Sequence, residues 1–78
     1  MIDTARIDVL LATLNAADVG SLDNIAEKME QVETALQSLG QEQLAVAAGD
    51  ALTALRRGDV AEFRRGRAFL QSKLGHLR

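Results

Sequence analysis

The segment Arg56–Arg67 concentrates the side chains of this chain that are best suited to bind an anion. It holds five arginines within twelve residues. A guanidinium group is planar and donates two parallel hydrogen bonds to a carboxylate or a phosphate, which is why arginine is favoured over lysine at such sites. The segment therefore indicates a surface that recognises an acidic protein or a phosphate group, with a merely solvated face as the alternative.

Phe69 follows this segment and points away from the other apolar residues of its helix. At about 100° per residue, Phe69 shares an otherwise polar row with Arg65, whereas Arg67 falls inside the apolar stripe. An apolar side chain on a polar row is a candidate contact residue, although isolated exposed apolar side chains are common. The candidate partner-binding residues are Arg64, Arg65, Arg67 and Phe69.

The remaining polar residues do not form a pattern typical of a catalytic, cofactor or metal site. The chain has no cysteine and a single histidine, His76, which argues against a transition-metal site. No glycine-rich loop follows a strand, and no serine or threonine stands beside a suitable base. The tripeptide Arg57-Gly58-Asp59 matches the integrin-binding motif, but its glycine and aspartate suit helix capping. We predict no enzyme activity, no cofactor and no bound metal.

Charge is divided unevenly along the chain. Residues 1–39 carry seven acids and two bases (net −5), whereas residues 40–78 carry four acids and seven bases (net +3). This division has three explanations: complementary helices within the bundle, arginines placed at a helix C-terminus, or a binding partner. In an up-down-up-down bundle helix two is diagonal to helix four, so Glu27, Glu30 and Glu33 reach helix four only in another topology or across a dimer.

Periodicity and turn residues predict four helices joined by short connections, at residues 3–18, 22–39, 42–57 and 60–76. The chain has no proline and is rich in strong helix formers. Short connections place neighbouring helices antiparallel. The predicted fold is all-α, a compact antiparallel bundle of about four short helices in a single domain over residues 1–78. The alternative is a set of longer helical hairpins that form a bundle by dimerisation.

Glycines and capping residues mark the predicted helix ends. The glycines that suit the left-handed conformation after a helix are Gly20, Gly40 and Gly58. Ser21 and Asp59 suit N-caps, and Glu62 stands at the capping-box distance from Asp59. Good helix formers follow Gly40, so this break is less certain than the one at Gly58. A helix that continued through either glycine would give the longer hairpins of the alternative fold.

Helices one and two differ in their apolar faces. Helix two carries one narrow seam with coiled-coil spacing, formed by Leu22, Ile25, Met29, Val32, Leu36 and Leu39. Helix one carries two stripes, one formed by Ile7, Leu10, Leu11 and Leu14 and the other by Ile2, Val9, Ala12 and Ala16. A helix that is apolar on two sides is either central in the fold or shared with another chain.

Helices three and four are predicted to cross closely. Their stripes are Leu44, Ala48, Ala51, Leu52 and Leu55, and Val60, Phe63, Leu70, Leu74 and Leu77. Counted outward from Gly58, Gly49 and Gly66 fall at nearly the same level of the antiparallel hairpin. Small residues allow helix backbones to approach, so this pair predicts a tight crossing. The alternative is that both glycines are tolerated on solvated flanks.

These observations favour a small protein–protein interaction module over an enzyme. A chain of 78 residues without disulfides builds a marginal core, so we expect a protein partner or self-association, for example as a homodimer. The predicted role is an adaptor or chaperone-like subunit. The alternative is a nucleic-acid-binding or phosphate-binding regulator that uses the Arg56–Arg67 surface. The net charge of −2 and the absence of tyrosine and tryptophan disfavour nucleic acid.

The sequence also bears on where the protein works. No apolar run approaches the roughly 20 residues that a membrane span needs, so we expect no membrane partner. Acidic residues occupy the start of the chain, where a secretory signal carries positive charge. The expected location is the cytoplasm.

Overall fold

The segments between the predicted breaks all form α-helix, as their content of alanine, leucine, glutamate and arginine leads one to expect. The computed structural model describes residues 4–16 and 20–77, and these form four helices. They are α1 (Thr4–Asn15), α2 (Leu22–Ser38), α3 (Glu42–Arg56) and α4 (Val60–Leu77). The predicted boundaries are confirmed to within a few residues. The end predicted for the first helix, at residues 17 and 18, lies outside the described residues.

The glycine turns after α2 and α3 end both helices in the same way. Gly40 and Gly58 have φ values of +74° and +83°, a backbone conformation that residues with a side chain rarely adopt. The amide of Gln41 donates to the Leu36 carbonyl at 2.9 Å, and the amide of Asp59 donates in the same way to the Ala54 carbonyl at 2.8 Å. This is the Schellman arrangement. Both helices therefore stop at the glycine, and the alternative with longer hairpins is wrong.

The N-caps of α2 and α4 are also confirmed. The Ser21 hydroxyl accepts a hydrogen bond from the amide of Asn24 at 3.2 Å, and Asp59 Oδ1 accepts one from the amide of Glu62 at 3.1 Å. Only half of the predicted capping box forms. Because the amide of Asp59 already donates to the end of α3, the Glu62 side chain pairs with Arg65 instead.

The helices form a ring in which each packs against its two antiparallel neighbours. Contacts join α1 with α2, α2 with α3, α3 with α4, and α4 with α1; within the described residues, none joins the diagonal pairs. The predicted antiparallel four-helix bundle within one chain is confirmed. Side chains reinforce the weaker seams around α1. Gln71 Nε2 of α4 donates to Asn15 Oδ1 at 2.8 Å, and Lys28 Nζ of α2 donates to the Ala16 carbonyl at 3.2 Å.

The core is formed by the inward face of each helix. Its buried members are Ile7, Leu10, Leu14, Ile25, Met29, Val32, Leu36, Ala45, Ala48, Ala51, Leu52, Ala54, Leu55, Phe63, Leu70 and Leu74. Two residues expected in the stripes are instead exposed, Leu22 (63%) and Val60 (44%). Leu22 is the first residue of α2 and lies at the edge of the seam, about 60° around the helix from Ile25.

The second apolar stripe of α1 faces outward. Val9 is 64% exposed, and Ala12 and Ala16 are exposed as well, whereas Ile2 lies outside the described residues. The helix occupies one position of the ring like the other three, so the expectation that it is central in the fold is wrong. The expectation that it is shared with another chain stays a prediction.

The close crossing of α3 and α4 is confirmed at Gly66 but not at Gly49. A Cβ atom placed on Gly66 would lie 2.9 Å from the Cβ of Ala51 and 3.5 Å from its Cα. A Cβ atom placed on Gly49 would meet Glu33 Oε2 of α2 at 2.7 Å. Gly49 therefore takes no part in this crossing, because it lies on the side of α3 that turns toward α2.

None of the helices in the described ranges combines the length and apolar character that crossing a lipid bilayer requires.

Candidate interaction surface

The outer face of α4 carries a row of three side chains spaced one helical turn apart. Arg65, Phe69 and Lys73 follow one another at intervals of four residues, which places them on one side of the helix. The Phe69 ring is 46% exposed, and Lys73 Nζ lies 5.6 Å from its centroid. At that distance the ammonium group attracts the face of the ring. We call these three residues the α4 row.

The α4 row borders a shallow groove between α3 and α4, of about 270 Å³. Its lining residues are Ala47, Asp50, Ala51, Glu62, Arg65, Gly66 and Phe69. The close approach at Gly66 keeps the groove shallow, and the two alanines give it a small-residue floor. An apolar floor with a few charged side chains at its edge suits a polypeptide segment.

Arg65 is held in place by a carboxylate on its own helix. Its Nη2 donates to Glu62 Oε2, one turn earlier along α4. This hydrogen bond, and the negative charge of Glu62, raise the pKa of the Arg65 guanidinium above its ordinary value. Both side chains remain mostly exposed. An exposed ion pair of this kind contributes little to stability, so a carboxylate of a partner can replace Glu62.

The four candidate residues do not form one site. Arg65 and Phe69 line the same groove, as the helical row predicted. Arg64 is exposed on a different part of α4, about 100° around the helix from Arg65. Arg67 is half-buried, with its Nε and Nη1 atoms enclosed, and it lies one turn before Gln71, whose side chain bonds to α1. Lys73 was not among the predicted site residues. It follows Phe69 at the same interval of four residues that separates Phe69 from Arg65, so the sequence spacing could have indicated it.

The two arginines at the end of α3 pair with carboxylates of the same molecule. Arg56 Nη2 bonds to Glu30 of α2, and Arg57 Nη2 lies 3.7 Å from Asp59 Oδ2. The acidic helix α2 is therefore complemented by α3, its neighbour in the ring. This supports the explanation of the charge division by complementary helices, although the arginine comes from α3 and not from α4.

A second feature, which the sequence did not lead us to expect, lies beside α2. It is a pocket of about 380 Å³ lined by Leu22, Asp23, Ala26, Glu27, Glu30, Leu55 and Arg56. We call it the acidic pocket, because three carboxylates surround an apolar floor. The sequence contained one indication of this pocket: Leu22 lies at the edge of the apolar seam of helix two, on the side that faces α3.

Within the described part of the chain, no group of three or more histidine, aspartate or glutamate residues is placed to hold a metal ion. Comparisons of the chain with protein-family models, with curated proteins and with solved structures find no match.

Proposed function

We propose that the chain is a small, non-enzymatic helical module for protein–protein interaction, an adaptor or chaperone-like subunit. The observation that carries the proposal is Phe69, an aromatic ring that stands half exposed between Arg65 and Lys73 at the edge of an apolar groove. Aromatic residues, phenylalanine among them, and arginine are enriched at protein interfaces relative to the rest of the surface. A cytoplasmic location belongs to the same proposal and would be checked by cell fractionation.

Site-specific crosslinking tests the proposal and identifies the partner in the same experiment. A photoreactive benzophenone amino acid placed at Phe69 is expected to crosslink to a protein when the chain is expressed in its own cells. Ala68 is the matched control position, because it is exposed on α4 but faces about 100° away from Phe69. A crosslink at position 69 and none at position 68 supports the proposal. Absence of a protein crosslink at position 69 overturns it.

Substitution then measures the contribution of the surface. The double variant Arg65→Ala/Phe69→Ala is expected to bind the crosslinked protein at least about tenfold more weakly in calorimetry, since both residues are of the types that dominate interface energy. Circular dichroism should show an unchanged helix content, because both side chains lie outside the core. Arg64→Ala removes a neighbouring positive charge that lies outside the groove and should leave the affinity nearly unchanged. Equal affinities for the wild-type chain, the double variant and Arg64→Ala would contradict the assignment of the surface.

The phosphate-binding alternative has less support, because the net charge of the chain is −2 and carboxylates beside three of the arginines reduce the positive potential that a phosphate would meet. The ion pairs are Arg56–Glu30, Arg57–Asp59 and Arg65–Glu62. Nucleic-acid binding depends on neutralising phosphates and is strongest at low salt. Fluorescence anisotropy with labelled DNA and RNA at about 20 mM salt tests the alternative directly. Binding that is lost in Arg64→Glu/Arg65→Glu would replace the proposal by this alternative.

A further inference from the structure

The acidic pocket and the α4 row have complementary chemistry. The pocket offers an apolar floor formed by Leu22, Ala26 and Leu55, surrounded mainly by carboxylates. The α4 row offers one exposed aromatic ring between two cationic side chains. Phe69 thus stands between two cations along α4, and its counterpart is an apolar recess bordered by three carboxylates. Opposite charges lie close to both surfaces, since Asp50 and Glu62 line the groove beside Phe69 and Arg56 lies at the rim of the pocket. Interfaces between proteins commonly join such surfaces, because opposite potentials guide and orient the encounter.

The charges on the two surfaces are also spaced alike. Asp23 and Glu30 lie seven residues apart, which corresponds to about 10 Å along the axis of α2. Arg65 and Lys73 lie eight residues apart, or about 12 Å along α4. Phe69 stands midway between its two cations, and Glu27 stands between its two acids. A helix laid beside the pocket with Phe69 over the apolar floor therefore brings both cations within reach of carboxylates.

These two surfaces cannot meet within one molecule. The helices α2 and α4 occupy diagonal positions of the ring, and among the described residues no Cα atom of one lies within 8 Å of a Cα atom of the other. The ion pairs that now hold Glu30 and Arg65 are exposed and contribute little, so they can be exchanged for intermolecular ones. The matching surface must then belong to another molecule, and the chain itself supplies one.

We infer that a second copy of this chain is the partner of the α4 row, with Phe69 of one copy seated in the acidic pocket of the next. The inference rests on the proposed function and names the partner. The pocket lies between α2 and α3 and the α4 row beside the groove between α3 and α4, so the two surfaces face different directions. One pair of copies therefore makes the contact once, and the contact is heterologous. Each added copy leaves one pocket and one α4 row unoccupied, so association continues beyond the dimer into rings or chains.

Sedimentation velocity of the purified full chain at low salt tests this inference. The wild-type chain is expected to form species larger than a dimer as its concentration rises. Phe69→Ser and Glu27→Lys should each weaken association at least about tenfold, because one removes the ring and the other reverses a charge of the pocket. Val46→Ser is the matched control, since Val46 is 62% exposed on α3 and belongs to neither surface.

Mixing the two weakened variants distinguishes this specific contact from non-specific association. Phe69→Ser retains an intact pocket and Glu27→Lys retains an intact α4 row, so their mixture should form a complex of one copy each and nothing larger. The double charge reversal Glu27→Lys/Arg65→Glu in one chain should regain part of the association that Glu27→Lys loses. Failure of the mixture to associate, or an equal loss in Val46→Ser, overturns the inference.

A wild-type chain that stays monomeric up to about 1 mM also overturns the inference, since the proposed contact of a buried ring and two charge pairs should bind more tightly than that. That result leaves the proposed function standing if the benzophenone at Phe69 crosslinks to a different protein. A crosslink to a second copy of the chain supports both. No protein crosslink at Phe69 together with a monomeric chain overturns both.

Discussion

At the scale of single residues, the three glycines within helices have different environments although the sequence presents them alike. Gly66 faces the backbone of α3, and Gly49 faces the flexible end of a glutamate. A Cβ atom placed on Gly75 would have no atom of the described residues within 4 Å, apart from its chain neighbours and the backbone of its own helix. The Glu33 carboxylate beside Gly49 can rotate away, whereas Ala51 beside Gly66 is fixed to the backbone of α3. The glycine at position 66 is therefore required by packing, whereas the other two are tolerated at a cost in helix propensity.

Replacing Gly66 by alanine is expected to destabilise the protein. The new methyl group would lie 2.9 Å from the Cβ of Ala51, so α3 and α4 must separate. Overpacking of this kind costs about 1–3 kcal/mol, which exceeds the gain of about 1 kcal/mol in helix propensity. Urea unfolding measures the difference. Gly75→Ala is the control and should raise the free energy of unfolding by up to about 1 kcal/mol. A stabilised Gly66→Ala variant would show that the two helices can separate there at little cost.

At the scale of the helices, caps decide where each element begins. Asp59 accepts a hydrogen bond from the first turn of α4, whereas Gln41 at the start of α3 has no capping hydrogen bond from its side chain. The two positions are comparable turns between antiparallel helices, except that Asp59 also lies 3.7 Å from Arg57 Nη2, an exposed contact that contributes little. The energy of a cap can therefore be measured by comparing them within the same protein.

Asp59→Ala is expected to lower the free energy of unfolding by about 1 kcal/mol, because an amide of α4 loses its acceptor. Gln41→Ala should change it by less than about 0.5 kcal/mol, because the half-buried Gln41 side chain makes no capping hydrogen bond. Thermal or urea unfolding of both variants provides the measurement. Similar losses in both would mean that the Asp59 side chain contributes through something other than capping.

Helix ends could be predicted from the sequence because their causes are local. Gly40, Gly58 and Asp59 act through their own backbone conformation or through the next turn, and those effects do not depend on the rest of the fold. The direction that Gly49 faces could not be predicted, since it depends on how far α3 is rotated between two neighbours. The acidic pocket was missed for a related reason: it needs Leu22 of α2 and Leu55 of α3 together.

The candidate site was predicted in part. The row that joins Arg65 and Phe69 follows from helical geometry alone, and the structure brings both to one groove. The separation of Arg64 and Arg67 from that groove depends on which sides of α4 contact α3 and α1. Sequence spacing places residues around a helix, but it does not say which neighbour lies beside each side.

At the scale of the whole molecule, the bundle is not equally well packed on all sides. Six residues of α3 are buried, against three of α1. The helix α1 also leaves a second apolar stripe, including Val9, in solvent. The helix α3 packs closely along both α2 and α4, whereas α1 makes fewer contacts with its two neighbours, so α1 is the least firmly held of the four helices.

Amide hydrogen exchange is expected to show this difference. Amides of α1 should exchange through a partial opening that costs less free energy than global unfolding, whereas those of α3 should exchange only by global unfolding. Native-state exchange followed by NMR across a series of low urea concentrations separates the two. Equal protection of α1 and α3 would show that the bundle opens as one unit.

The contact between Gly66 and Ala51 joins two positions that are 15 residues apart in the chain into one shared volume. The space between the two helices holds one methyl group at this level, either at position 51 or at position 66, but not both. In related sequences, a larger residue at position 66 is expected only together with glycine at position 51. A pair of columns that vary together in this way would reveal the crossing of α3 and α4 from an alignment alone.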